Sequence, residues 1–228
     1  MSYAKPPSSG RWKWLLQILL LIVICIVGLF AYRRGRVPPE FPDAGHPEVV
    51  KDFGKGMKAY WFPETELLIM TPGKPEPMFM GLWSPETKVA VNHLNGYRVP
   101  PSLSGIEVRI SFCEYTPFLC PDLEAQVKNT VTYIQSNNRQ DSLPYEAKDT
   151  KIDGLAAKLI SLEVQKPDGI LVGEVLLVKR GNVYVEIVTN YHKTRPAAYA
   201  QRVKQIFSTV HFLSKEQVDN LPPSARSK

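Results

Sequence analysis

The sequence predicts an α+β fold, a mostly antiparallel sheet packed with two helices and preceded by a single transmembrane helix. Three observations predict it. Residues 14–32 run nineteen positions without a charged side chain. Ile106, Val108, Ile110 and Phe112 alternate with Glu107, Arg109 and Ser111, the period of a half-buried strand. Two β-rich runs, 171–180 and 183–190, flank Gly181-Asn182, a two-residue hairpin signal.

The first element is the apolar segment WLLQILLLIVICIVGLFAY at 14–32, whose only polar side chain is the Gln17 amide. As a helix rising about 1.5 Å per residue it spans roughly 29 Å, one hydrocarbon core. Trp12 and Trp14 stand at one end and Tyr32 at the other, where amphipathic rings favour the interface, and Lys13 and Arg33 close the span. Cys25 falls inside it as an apolar filler. A cleaved signal peptide is the rival reading, but Ala31-Tyr32-Arg33-Arg34 puts large and charged residues where a peptidase needs small ones. An uncleaved anchor is therefore expected, with 1–13 as a short basic tail.

The flanks carry three Lys or Arg each, so charge alone does not orient the span. The long C-terminal part and its cysteine pair favour a cytoplasmic N-terminus and an extracytoplasmic domain. The expected location is the cell membrane, single-pass, with lipid as the partner of residues 14–32. The formal net charge is +6, yet residues 1–36 hold six basic side chains and no acidic ones, and the rest balances 22 basic against 22 acidic. The basic excess belongs to one short segment, so no nucleic-acid partner is expected.

Residues 33–48 contain Pro38, Pro39, Pro42 and Pro47 and read as a stiff extended stalk. Residues 214–228 are polar, include Pro222-Pro223 and read as a flexible tail. Between them, 49–213 reads as one α+β domain, long enough to bury a core. Strands are expected at 57–62, 67–71, 106–112, 155–164, 171–180 and 183–190, with Asp153-Gly154 leading into the fourth. Asp122 caps a helix running to about 136, with Leu123, Val127, Val131 and Ile134 on one stripe. A second helix starts near Thr194 with Pro196 in its first turn and carries Tyr199, Val203, Ile206, Phe207 and Val210 at helical spacing. A short last strand follows at 211–213.

The run from Ile152-Asp153-Gly154 through the Gly181-Asn182 hairpin to Ala198-Tyr199 and Phe207-Ser208-Thr209-Val210-His211-Phe212 resembles the PsbP-like α/β sandwich. The resemblance covers the C-terminal half and is one of pattern. It implies a long hairpin, a final amphipathic helix, a short terminal strand and a non-catalytic domain that docks on partner proteins. It carries no catalytic residues over to this chain.

Motifs with chemistry are sparse. Walker A, Gly-x-Gly-x-x-Gly, Gly-x-Ser-x-Gly, His-Glu-x-x-His and Cys-x-x-Cys patterns are absent, and His46, His93, His192 and His211 lie far apart. No catalytic, cofactor-binding or metal-ligating set is expected, and no cofactor. Cys113 and Cys120 are the sharpest local feature, one ending the 106–112 strand and one just before the Asp122 helix. A disulfide there would close a short loop and stabilise by about 2–3 kcal/mol in the chain-entropy model. Free buried thiols and a redox pair are the alternatives.

The run Pro77-Met78-Phe79-Met80-Gly81-Leu82-Trp83 reads as an edge strand or as a partner-contact loop centred on Met78, Phe79, Met80 and Trp83. Acid pairs such as Glu64 with Glu66, or Glu174 with Glu186, are explained by solvated faces. The expected function is thus a membrane-anchored, non-catalytic domain for protein binding or envelope assembly. A tethered hydrolase or thiol oxidoreductase with dispersed residues, or a small-ligand sensor, remains the alternative.

Overall fold

The computed structural model describes residues 47–53, 57–78, 80, 89–101, 105–194 and 196–221. The expected membrane span, most of the stalk, Phe79 and Trp83 lie outside them. Among the described residues no helix is long and apolar enough to cross a membrane.

Among the described residues eleven strands and three α-helices follow one another: β1 (Glu48–Asp52), β2 (Lys58–Phe62), β3 (Leu67–Thr71), β4 (Glu76–Pro77), β5 (Val91–Val99), β6 (Glu107–Tyr115), α1 (Leu123–Asn137), β7 (Tyr145–Ile152), β8 (Leu155–Lys166), β9 (Gly169–Arg180), β10 (Val183–His192), α2 (Pro196–Phe207), β11 (His211–Phe212) and α3 (Lys215–Asp219). They form two sheets where one was expected. The small sheet has the order β1-β2-β3-β11 and the large one β4-β5-β6-β10-β9-β8-β7. Every pairing is antiparallel.

The α+β class and the antiparallel meander match the sequence reading, and the register explains why. Gly181 takes φ +63° in the turn, so Val183 pairs with Arg180 and the whole β9–β10 hairpin follows. Asp153 and Gly154 take φ +49° and +83° and close a second hairpin, β7–β8, whose first arm was not expected. That arm, Tyr-Glu-Ala-Lys-Asp-Thr-Lys-Ile, is an edge strand rich in charge and has no apolar alternation to announce it.

Strand β5 was also missed. Its Asn95-Gly96 has the composition of a turn, yet both lie mid-strand opposite Phe112 and Ser111. Asn95 is buried and donates to Glu64 Oε2 at 2.9 Å. Strand β6 runs on to Tyr115, so Cys113 is inside it rather than at its end.

The core has two halves, one on each face of the large sheet. On the first face Tyr97, Val108, Ile110, Phe112, Leu176, Val178, Val185 and Ile187 meet Phe62, Leu67 and Ile69 of the small sheet and Val203, Ile206 and Val210 at α2. Phe62 packs edge-on against Tyr97 and Phe112, with centroids 4.9 and 5.5 Å apart. Each such side chain, fully buried, contributes about 1.5–3 kcal/mol of transfer free energy. On the second face Val175, Leu177, Ile160, Leu162 and Tyr184 meet Val127 and Val131 of α1. Asp122 caps α1 by accepting from Ala125 N at 2.7 Å, as the sequence predicts.

The expected boundaries shift at both ends. Glu48, placed in the stalk, already belongs to β1. Residues 214–221, placed in the tail, hold α3, which a Ser214–Gln217 capping box starts. Val218 of α3 packs on Val50 and Trp61, and Trp61 Nε1 donates to Leu213 O at 2.9 Å. The Asp153 carboxylate ties the β7–β8 turn to β11 by accepting from Phe212 N at 2.7 Å and facing His211 Nδ1 at 3.1 Å.

Candidate functional site, a groove beside α1

Helix α1 is fifteen residues long, about 22 Å, and lies on strands of twelve residues, about 40 Å. It therefore leaves part of its face uncovered. The backbone leaves the helix at Asn138, whose N–H and Nδ2 both reach Ile134 O, and turns away through Arg139 at φ +52°. The uncovered part is a groove of about 450 Å³. Leu162, Val164, Leu171, Val175 and Val188 line it with apolar surface, and Tyr133, Asn137, Asn138 and Met78 also border it.

Four charged side chains share that groove: Arg98, Glu107, Arg109 and Lys166. The register brings the first three together. Arg98 sits directly opposite Arg109 on neighbouring strands. Like charges so placed repel, and Glu107 offsets this by bridging them, with Oε1 at 2.7 Å from Arg98 Nε and 3.9 Å from Arg109 Nε. Asn190 pairs with Glu107 across β10 and, with its amide oxygen toward Arg109, accepts from Nη2 at 3.0 Å. Arg109 Nε is buried and has no hydrogen-bond acceptor. An unmatched buried donor of this kind costs about 1–3 kcal/mol.

Glu186 lies on the same sheet face, opposite Ser111 and Leu177. Burial pushes its carboxyl above the ordinary value, while the Thr130 hydroxyl, donating at 2.7 Å, and the Arg109 charge pull it back. Glu174 is on the opposite face, paired with Thr189. The two acids therefore cannot flank one bond, but the expected solvated faces do not hold for them, since burial raises both carboxyls.

Of the residues singled out in the sequence, Met78 borders the groove and Met80 packs on the α1-side core. Both lie over Gly96, where a Cβ would come within 2.6 Å of Met80 Cγ and 3.3 Å of Met78 Cε. Among the described residues the strand here is Glu76–Pro77, and Met78 N bonds Gly96 O at 2.8 Å. Phe79 and Trp83 lie outside the described residues.

Cys113 and Cys120 are both free thiols, not the expected disulfide. Both join the α1-side core, but the Cys120 thiol is turned to Pro121 O at 3.6 Å. Burial pushes the Cys113 thiol up to about 12, with the Tyr115 hydrogen bond opposing. Among the described residues no group of three His, Cys, Asp or Glu is placed to hold a metal.

Sequence reading missed Arg98, Arg109, Glu107 and Asn190 as a set. Glu107 and Arg109 were visible as the polar positions of an alternating strand, the usual mark of a solvated face. Their partners come from β5 and β10, and only pairing reveals them.

No family model and no curated protein matches this sequence. Solved structures are similar in arrangement. A protein of unknown function from Pseudomonas aeruginosa, PA94, is 15% identical with a TM-score of 0.35, covering 67% of this chain and 94% of that one. Cyanobacterial PsbP (CyanoP) from Synechocystis sp. PCC 6803 is 11% identical with a TM-score of 0.49, covering 77% and 100%. A Bacteroides thetaiotaomicron protein is 12% identical with a TM-score of 0.41, covering 71% of this chain and half of its own.

Proposed function

We propose that this chain is a non-catalytic binding module, tethered to a membrane by residues 14–32, whose groove beside α1 receives a protein partner. The observation that carries the reading is the groove itself: apolar surface, clustered charge and one buried guanidinium N–H without an acceptor. Sites of this size with a few convergent polar groups on an apolar lining hold ligands. Its charged groups, Arg98, Glu107, Arg109 and Lys166, suit the recognition of a charged partner group. Met78 at its border adds the adaptable surface that partner sites favour.

The tether and the extracytoplasmic placement rest on the uncharged segment and its aromatic flanks. An alkaline carbonate wash of membranes should leave the full chain in the pellet, and its release would remove the tether. A photo-crosslinking amino acid placed at Asn138, in intact membranes, should yield one discrete protein adduct. Absence of any adduct from Asn138 and Lys166 alike would refute the docking site.

A further inference from the structure

We infer that the groove captures the free C-terminal carboxylate of the partner polypeptide, with apolar final side chains seated on the apolar lining. This rests on the binding reading above and names the chemistry that the site selects.

The charge balance points to an anion. Arg98, Arg109 and Lys166 face Glu107 in the groove, and Glu186 lies within electrostatic reach of Arg109. Among the lining residues Arg98, Arg109 and Lys166 outnumber Glu107, the one acid, so the groove suits an anionic group such as a carboxylate. The guanidinium supplies the geometry, since its planar fork matches a carboxylate with two parallel hydrogen bonds. Arg109 uses Nη2 on Asn190 and keeps a buried Nε–H without an acceptor, so a carboxylate oxygen would satisfy a donor that the fold leaves unmatched.

A peptide terminus fits better than a free alkyl acid because amides stand beside the charges. Asn138 gives its Nδ2 to Ile134 O at 2.6 Å, which leaves its Oδ1 as an acceptor for a peptide N–H. The carbonyl end of α1 would oppose an anion, but Asn138 N–H takes Ile134 O and Gln135 O at 3.1 and 3.2 Å. The lining stays low at Gly173, where a Cβ would come within 2.8 Å of Leu162 Cδ1 and 3.3 Å of the Asn190 side-chain amide.

The test uses the full chain in phosphatidylcholine nanodiscs and a fluorescein-labelled pentapeptide ending in Leu-Val, made as the free acid and as the C-terminal amide. Anisotropy titration should show the free acid binding about tenfold or more tightly than the amide. Arg109→Gln should bring the acid down to the level of the amide, and Arg109→Lys should not restore it, because the fork is lost. The acid–amide comparison on the natural sequence needs no variant and is immune to misfolding. Equal affinity for acid and amide overturns the inference, and so does octanoate binding more tightly than the peptide acid. If acid and amide bind alike while the Asn138 crosslink persists, the carboxylate assignment falls and the docking site stands. Loss of both removes both.

Discussion

Toward the small sheet and α2, the large sheet presents Val108, Ile110, Phe112, Leu176, Val178, Val185 and Ile187, none more than 2% exposed. Toward α1, the same strands present Glu107, Arg109, Glu186 and Lys158 among the apolar residues. Adjacent residues of one strand thus meet opposite fates. The first face is covered by a second sheet and a helix, and water has no place there. The second is covered by one helix shorter than the strands beneath it, and charges persist where it stops. Lys158 shows how they are accommodated: its side chain is only 9% exposed, and both Glu124 and Asp149 hold its ammonium. Arg109 is handled less completely, since its buried Nε–H has no acceptor.

The sharpest way to break the comparison is to remove volume from each face. Ile187→Ala, on the closed face, should lower stability by about 2–5 kcal/mol in urea unfolding, because nothing can collapse into the cavity it leaves. Leu171→Ala, at the groove, should cost less than about 1 kcal/mol, since Leu171 is already partly exposed. Similar losses at the two sites would mean that the faces do not differ as described. Asp122→Ala removes the α1 cap and should cost about 1 kcal/mol in the same assay. It loosens the cover of the second face alone, so hydrogen exchange should rise in α1 and stay unchanged in α2.

Charge on the second face gives a pH signature. The Glu186 carboxyl is raised in the fold, so the folded state holds its proton more tightly than the unfolded chain. Its stabilising effect is complete below the ordinary value of 4.5 and is lost as pH rises through the folded value. Glu186→Gln, which keeps an acceptor for Thr130, should therefore flatten the fall in stability as pH rises above the ordinary value of 4.5. A shallower slope remains from Glu174, which burial on the other face also raises. A variant with the slope of the natural chain would show that Glu186 is solvated. The smallest effect is kinetic: iodoacetamide at pH 8 should label Cys120 before Cys113, because Cys120 is half-buried while the Cys113 thiol is buried and raised to about 12. Peptide mass mapping reads the order directly.

Much of the fold was legible because local rules and tertiary needs agree. The Gly181-Asn182 turn, the Asp122 cap and the Val127–Val131 stripe each do in the structure what their spacing implies. The failures have particular causes. Strand β5 hid behind Asn95-Gly96, whose glycine is there for close packing under Met80 and not for a turn. Strand β7 hid because an edge strand needs charge more than alternation. Helix α3 hid because its burial rests on Val218 alone, too little to stand out from a polar tail. Of the groove, Met78 was singled out, but for its residue type and not for its neighbours.

By itself the sequence determined the α+β class, the Gly181-Asn182 hairpin, the Asp122 cap and the apolar positions of the alternating strands. These depend on side chains a few residues apart, whose spacing along the backbone is fixed by covalent geometry. The tertiary structure alone decided that there are two sheets, that α1 ends short of the strands it covers, and that Arg98, Glu107, Arg109 and Asn190 converge. Such a site is made of contacts across β5, β6 and β10, and pairing between strands is set by the collective burial of both sheet faces, which no single segment encodes.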